Sequence, residues 1–210
     1  MALIYKATLS PSKLELVAGW LPTRAWFSGN ADVQQLGAYR FDDPAGEVGI
    51  EAMLVRDAAG AVLHVPLTYR GAPLAGAEES LIGTTDHSVL GARWVYDGCA
   101  DPVWAAQMTR TILTGGTQAE ELVDQGDGHT RPRTPSVRVR GSGTDEAPVD
   151  PIGEIGQMTC HDDGPTTVVR AGGVELVVVR VLGAEVPAAH TLTGSWTDGG
   201  PALLAALRLQ

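Results

Sequence analysis

Apolar and polar positions alternate with a period of two through two neighbouring stretches of this chain. In Glu47 to Arg56 the residues Val48, Ile50, Ala52 and Leu54 share one face. In Ala61 to Arg70 the shared face holds Leu63, Val65, Leu67 and Tyr69, with His64, Thr68 and Arg70 opposite. That period marks half-buried strands. The connection Asp57-Ala58-Ala59-Gly60 is short and turn-rich, so the two strands are predicted to form an antiparallel hairpin. Further strands are expected over residues 2–9, Leu36 to Asp42 and Val89 to Asp97. Helical spacing replaces alternation at Leu14, Val17, Ala18 and Leu21, with Ser10-Pro11 as an opening and Pro22 as a stop. A second helix opens at Asp101-Pro102, carries Trp104, Met108 and Ile112 on one side, and ends at Gly115-Gly116. A short helix over Gln118 to Val123 is expected next.

From Asp124 to Pro151 the pattern dissolves into Gly, Pro, Asp and Thr, which reads as loops around one short strand, Ser136 to Arg140. Beyond it, TTVVRA-GG-VELVVVRVL predicts a hairpin whose Gly172-Gly173 turn supplies positive φ angles. Thr191 to Trp196 and Leu203 to Leu209 are two more candidate strands, the latter also compatible with a helical turn. The expected class is α+β: a curved antiparallel sheet flanked by a few helices, with a β-rich C-terminal half. Three segments follow, residues 1–124, a loop-rich connection 125–151, and a β-rich part 152–210 packed on the first.

Composition narrows the function classes. A net charge of −10 argues against a nucleic-acid or anionic-membrane surface. No apolar run is long enough to span a bilayer, and MALIYKATLS lacks the features of a signal peptide, so the cytoplasm is the expected compartment. Cys99 and Cys160 lack CxxC spacing and are expected as free thiols. Arg131, Arg133, Arg138 and Arg140 cluster locally, and a solvated strand edge that discourages aggregation is the reading of that cluster. Lysine occurs only at Lys6 and Lys13, and asparagine only at Asn30.

Four motifs, in order and at matching spacing, carry a resemblance: WLPTRAWFSG (Trp20 to Gly29), VPLTYR (Val65 to Arg70), LIGT (Leu81 to Thr84), and RWVYDG followed by Asp101-Pro102. Together they resemble the N-terminal cap of the actinobacterial maltokinases over about residues 1–124. The resemblance implies an antiparallel sheet flanked by helices which, in that family, precedes a kinase-like catalytic body. Phosphoryl transfer in such a body needs a strand lysine, a catalytic-loop aspartate, and an Asn and Asp for magnesium. Both lysines here precede residue 14, Asn30 lies inside the cap-like part, and Val177-Val178-Val179 stands where a phosphate lysine would. A stand-alone cap-like protein without a kinase lobe or maltokinase activity is therefore expected.

Other reactive clusters have plainer readings. Cys160-His161-Asp162-Asp163-Gly164 reads as a turn sequence rather than a metal site, since its neighbours diverge and no second ligand pair has zinc spacing. Asp86-His87 beside Thr84-Thr85, and Glu78-Glu79, read as structural or surface charge. The face carrying His64 is either solvated or covered by the second half of the chain. No catalytic residue, metal or cofactor is expected. A ligand or partner surface is expected from Trp26, Tyr69, Arg70, His87 and Trp94. The leading expectation is a non-catalytic binding or assembly protein in trehalose, maltose or glucan metabolism. Its implied partners are maltokinase or trehalose synthase type enzymes, and the edge strands admit a homodimer; no nucleic-acid or membrane partner is expected. Two other readings stay open: an enzyme using a cleft between the halves near His87, His161 or Cys160, and a sensor of small sugars.

Overall fold

The computed structural model describes residues 2–4, 7–125, 129–144 and 158–209. Its N-terminal half runs β1 (Ala2–Ile4), β2 (Leu9–Ser10), α1 (Lys13–Trp20), β3 (Val33–Phe41), β4 (Gly49–Asp57), β5 (Val62–Arg70), β6 (Leu81–His87), β7 (Gly91–Asp97) and α2 (Pro102–Leu113). Then come β8 (Glu121–Asp124), β9 (Thr130–Arg133), β10 (Val137–Gly141) and β11 (Thr159–Asp163). The chain finishes with β12 (Thr166–Ala171), β13 (Val174–Val179), β14 (His190–Trp196) and β15 (Gly199–Leu209). The class is α+β, dominated by antiparallel sheets with two short helices.

The first large sheet has strand order β2-β6-β7-β5-β4-β3, the second β10-β14-β15-β13-β12-β11, and β1-β8-β9 form a small third one. The first sheet buries both faces, which its alternation dictates. Ala38, Met53, Val55, Leu63, Val65, Leu67 and Tyr69 pack against Val17, Trp20 and Leu21 of α1 and its exit turn. On the other side Tyr39, Phe41, Ile50, Ala52 and Leu54 meet Trp104, Met108 and Ile112 of α2, together with Val137, Val169, Leu176, Val178, Leu192 and Leu207 of the second sheet. The layers are therefore α1, first sheet, α2, second sheet. One continuous core joins the two halves of the chain, and its burial is the dominant favourable contribution to the fold.

Two junctions lock that arrangement. After β13 the chain pairs with the free half of β5: His64 N–H donates to the Arg180 carbonyl at 2.9 Å and Leu182 N–H to that of Val62 at 2.8 Å. At the other, Gly143 N–H donates to the Ile112 carbonyl at 2.8 Å, satisfying an end-of-helix acceptor of α2. A Cβ at Gly143 would stand 1.7 Å from the Leu113 carbonyl oxygen, so only glycine permits the approach.

Several expectations change. α1 opens at Ser12, not Ser10-Pro11: Ser12 and Glu15 form a reciprocal capping box, while Ser10 is paired to Asp86 in β2. Leu81–His87 is a strand that the alternation did not reveal, and Val89 and Leu90 stand exposed at the tip of its hairpin with β7. The helix expected over Gln118 to Val123 is absent. There Ala119 N–H donates to the Arg40 carbonyl, the Gln118 side chain accepts from Val139 N–H, and Glu121–Asp124 pairs with β1 and β9. Tertiary pairing outweighs helix propensity in a segment too short to nucleate. The Cys160 to Asp163 run is an exposed edge strand, with its turn only at Gly164-Pro165. Of Gly172 and Gly173 only Gly172 has a positive φ, 57°. Leu203 to Leu209 is strand, not a helical turn. The 125–151 segment contributes β9 and β10, while 126–128 and 145–151 lie outside the described residues, as do residues 5–6 of the expected first strand.

Candidate functional site

Directly opposed residues in an antiparallel pair project to the same face, so register sorts the side chains of the first sheet. Tyr69 lies opposite Val95 and Thr85 opposite Arg93, on the α1 face; Arg70 lies opposite Trp94, on the other. The five residues expected to form one surface are thus divided. Trp26 is buried, edge-on to Trp20 at 5.9 Å, because the Trp20-to-Phe27 exit wraps back onto the sheet. Arg70 makes a bidentate pair with Asp101 at 2.7 and 2.8 Å, and Asp101 also accepts from Val103 N–H as the cap of α2. Trp94 is half-buried beside Arg70. Tyr69 and His87 do come together.

They line an open cleft of about 560 Å³ at the α1 end of the first sheet. Its wall is made by Lys13 at the start of α1, Arg40 of β3, Tyr69 of β5, Arg93 of β7 and the β6–β7 tip, His87 and Leu90. The β3–β4 loop closes the far rim. Asp43 shapes that loop by accepting from the N–H groups of Ala45, Glu47 and Val48 at 2.8 to 3.0 Å. The hairpin tip is held by His87, whose Nδ1 accepts from Val89 and Leu90 N–H at 3.2 and 3.1 Å. Gly91, at φ 72°, lets the chain reverse there. Thr85 Oγ1 donates to the Pro11 carbonyl at 2.7 Å, fixing the approach of α1 to β6.

Charge is concentrated beneath the cleft. Glu51 faces the α1 side of β4, opposite Arg40 in register, and is buried. Its Oε2 receives both the Lys13 ammonium and Arg40 Nη2, the latter at 3.0 Å. Burial alone would raise the Glu51 carboxyl; Arg40 and Lys13 outweigh it and hold it at about 2. The Lys13 ammonium also sits over the Tyr69 ring, 5.0 Å from its centroid. Burial lowers the Lys13 pKa despite the Glu51 charge, whereas Glu51 raises that of Arg40. Nearby, Glu121 of β8 is buried and paired with Arg133 at 2.6 Å.

A second polar centre is sealed at the seam where residues 180–182 pair with β5. Arg180 is fully buried, donates to Thr167 Oγ1 at 2.8 Å and to Asp97 Oδ2 at 2.5 Å, and stacks over Trp26 at 5.3 Å. Beside it Tyr39 Oη lies 2.9 Å from His64 Nε2, and His64 Nδ1 lies 3.2 Å from the Val179 carbonyl. A carbonyl cannot donate, so Nδ1 carries the proton and Nε2 accepts from the tyrosine. Burial, then the Arg180 charge, lower the His64 pKa to about 3, so the ring is neutral. The His64 face is covered by the second half of the chain, which the sequence left open. Cys99, also here, is buried with its thiol pushed well up by burial.

Sequence reasoning missed Lys13, Arg40, Glu51 and Arg93 as a group. The available signal was Glu51 itself, an acid in a strand whose other face is apolar. Arg180 within VELVVVRVL was a comparable signal, a charge inside an apolar run. Cys160 and His161 stand on exposed β11 and line no wall of this cleft, so His87 and they are not brought together.

Residues 20–101 match the family described as the maltokinase N-terminal cap domain. The match holds α1's exit, the whole of β3 to β7, and Asp101, the cap of α2. No curated protein matches the chain.

Proposed function

We propose that this chain is a non-catalytic binding or assembly protein built on a maltokinase-cap-like sheet, acting beside maltokinase-like enzymes. The observation that carries the reading is the match over residues 20–101 together with the way that segment is folded. One face of its sheet is spent on the chain's own α2 and second sheet, while the α1 face keeps an open cleft and an exposed Val89-Leu90 tip. An apolar tip beside a charged cleft has the character of a small recognition surface rather than of a reaction centre. Lys13 is engaged by Glu51, and Asn30 accepts from Asp32 N–H at 3.0 Å, so both side chains serve the fold of the cap-like part.

The partner class that suits the reading is a maltokinase or trehalose synthase type enzyme, in a cytoplasmic setting of trehalose or glucan metabolism. No helix among the described residues is long and apolar enough to cross a membrane. The test is to mix the purified chain with each of these enzymes from its own host and follow complex formation by size-exclusion chromatography and calorimetry. A complex weakened by Val89→Asp at the exposed tip is expected. A chain that elutes alone with every such enzyme, or as a dimer of itself only, contradicts the reading.

A further inference from the structure

The seam beside Arg180 brings together two thiols that are distant in sequence. Cys99 lies in the turn Gly98–Ala100 after β7, fully buried in the core shared by both halves. Cys160 stands exposed on β11, the outer strand of the second sheet. Register fixes the direction of its side chain. Cys160 lies opposite Val169 and Asp162 opposite Thr167, so these four project to one face. Val169 and Thr167 are buried, and Val169 belongs to the same core cluster as Cys99. The Gly98–Ala100 turn packs directly on β11 and β12.

A continuous run of hydrogen bonds ties the surroundings of the two cysteines together. Asp97 Oδ1 accepts from Cys99 N–H at 3.2 Å, and its Oδ2 from Arg180 Nη2 at 2.5 Å. Arg180 Nε donates to Thr167 Oγ1 at 2.8 Å, and that hydroxyl donates to Asp162 Oδ1 at 2.6 Å. The run starts at the amide of Cys99 and ends two residues beyond Cys160. A disulfide needs Cα atoms within about 7 Å of each other, the range of elements in direct packing contact. Among the described strands β11 pairs with β12 alone, so it is the element able to adjust.

We infer that Cys99 and Cys160 are a latent redox pair, closed into a disulfide within the folded chain by a small-molecule disulfide. The exposed Cys160 gives its proton to water and attacks one sulfur of the oxidant, whose other half leaves as a thiolate. Cys99, deprotonated in turn, attacks Cys160 Sγ, forms the internal S–S bond and expels the second half. The cysteines lose two electrons and two protons, and the oxidant becomes two thiols. Burial is the largest cause raising the pKa of both thiols, so the exchange is slow near neutral pH and quickens in alkali. The bond joins the exit of β7 to β11 and so staples the two halves of the chain. This inference is independent of the partner proposed above: a chain that captures its enzyme partner but forms no such bond breaks only the present one.

The experiment incubates the folded, reduced chain with oxidised glutathione at about pH 9 and follows intact mass, then peptides mapped without reduction. Loss of two hydrogens with no retained glutathione, and a linked Cys99–Cys160 peptide pair, is expected. The oxidised chain should also unfold at higher urea than the reduced one. Cys99→Ser should stop at a glutathione adduct on Cys160, and Cys160→Ser should stay unmodified, because Cys99 is buried. Circular dichroism checks that each variant is folded, and Cys160→Ser, at an exposed position, carries the test if Cys99→Ser is not. A wild-type chain that keeps glutathione on Cys160, pairs Cys160 only between chains, or does not react overturns the inference. So does a Cys99–Cys160 link that forms only in urea, or Cys99 modified in folded Cys160→Ser.

Discussion

Two buried charge centres adjoin the first sheet, one sealed at its β5 seam and one under the open cleft, and they are built to opposite ends. At the seam where the chain after β13 pairs with β5, Arg180 is fully buried, and its partners Asp97 and Thr167 come from different halves of the chain. On the α1 face Lys13 and Arg40 meet Glu51 at the edge of water, with a cleft above them. A sealed charge that loses its partner has no solvent to turn to, whereas an open one does. The sealed centre is accordingly an element of the fold, while the open one keeps access to solvent. The difference lies in what covers each, not in residue type.

The largest effect should come from Asp97→Ala, which leaves Arg180 buried and uncompensated. A loss of about 3–5 kcal/mol is expected in urea unfolding, with much smaller loss if Arg180 is replaced as well by Met. Trp104→Ala, in the core shared by both halves, should cost a similar about 3–5 kcal/mol and lower the midpoint by a single transition. Two separated transitions would show that the halves do not share a cooperative core. Asp101→Ala removes the cap of α2 and the counter-ion of Arg70 together, for about 1–2 kcal/mol.

A pH effect separates the faces next. The His64 pKa is about 3 in the folded chain against an ordinary 6.5. The unfolded chain therefore takes up this proton first as pH falls. The contribution is complete above pH 6.5 and declines toward the folded value, by about 1.4 kcal/mol per pH unit within the window. Glu51, also depressed, acts with the same sign but only below its ordinary 4.5. Stability measured from pH 6.5 to 5 should slope downward in the wild type and lose most of that slope in His64→Gln. The smallest effect belongs to the open face: Lys13→Gln should cost less than about 1 kcal/mol, because Glu51 keeps Arg40.

The sequence declared what period and capping can declare. The alternation in β4 and β5 assigned both faces correctly, and Asp101-Pro102 with Trp104, Met108 and Ile112 placed α2. It failed where a segment takes its structure from neighbours. In β6, LIGTTDH has no alternation because Thr85 is its one buried position, and pairing with β2 and β7 makes it a strand. Residues 118–123 carry helix formers, yet their backbone is claimed by Arg40, β1 and β9, and the Gln118 side chain by Val139. Of the site, Tyr69 and His87 were legible, since they stand on or beside readable strands. Lys13, Arg40 and Glu51 come from three elements, and the Arg180–Asp97 pair spans 83 positions; local pattern carries neither.

The division between a sealed and an open face is tested most directly by titrating the histidine rings by NMR, with His64 and His87 assigned through single substitutions. His64 should keep its Nδ1 proton and remain neutral from pH 8 down to about 4. His87, on the open cleft, has its pKa lowered by burial and then by Arg93 and serves as the exposed comparison. A His64 ring that gains its second proton near 6.5 would mean that water reaches the covered face, and the account would fail there.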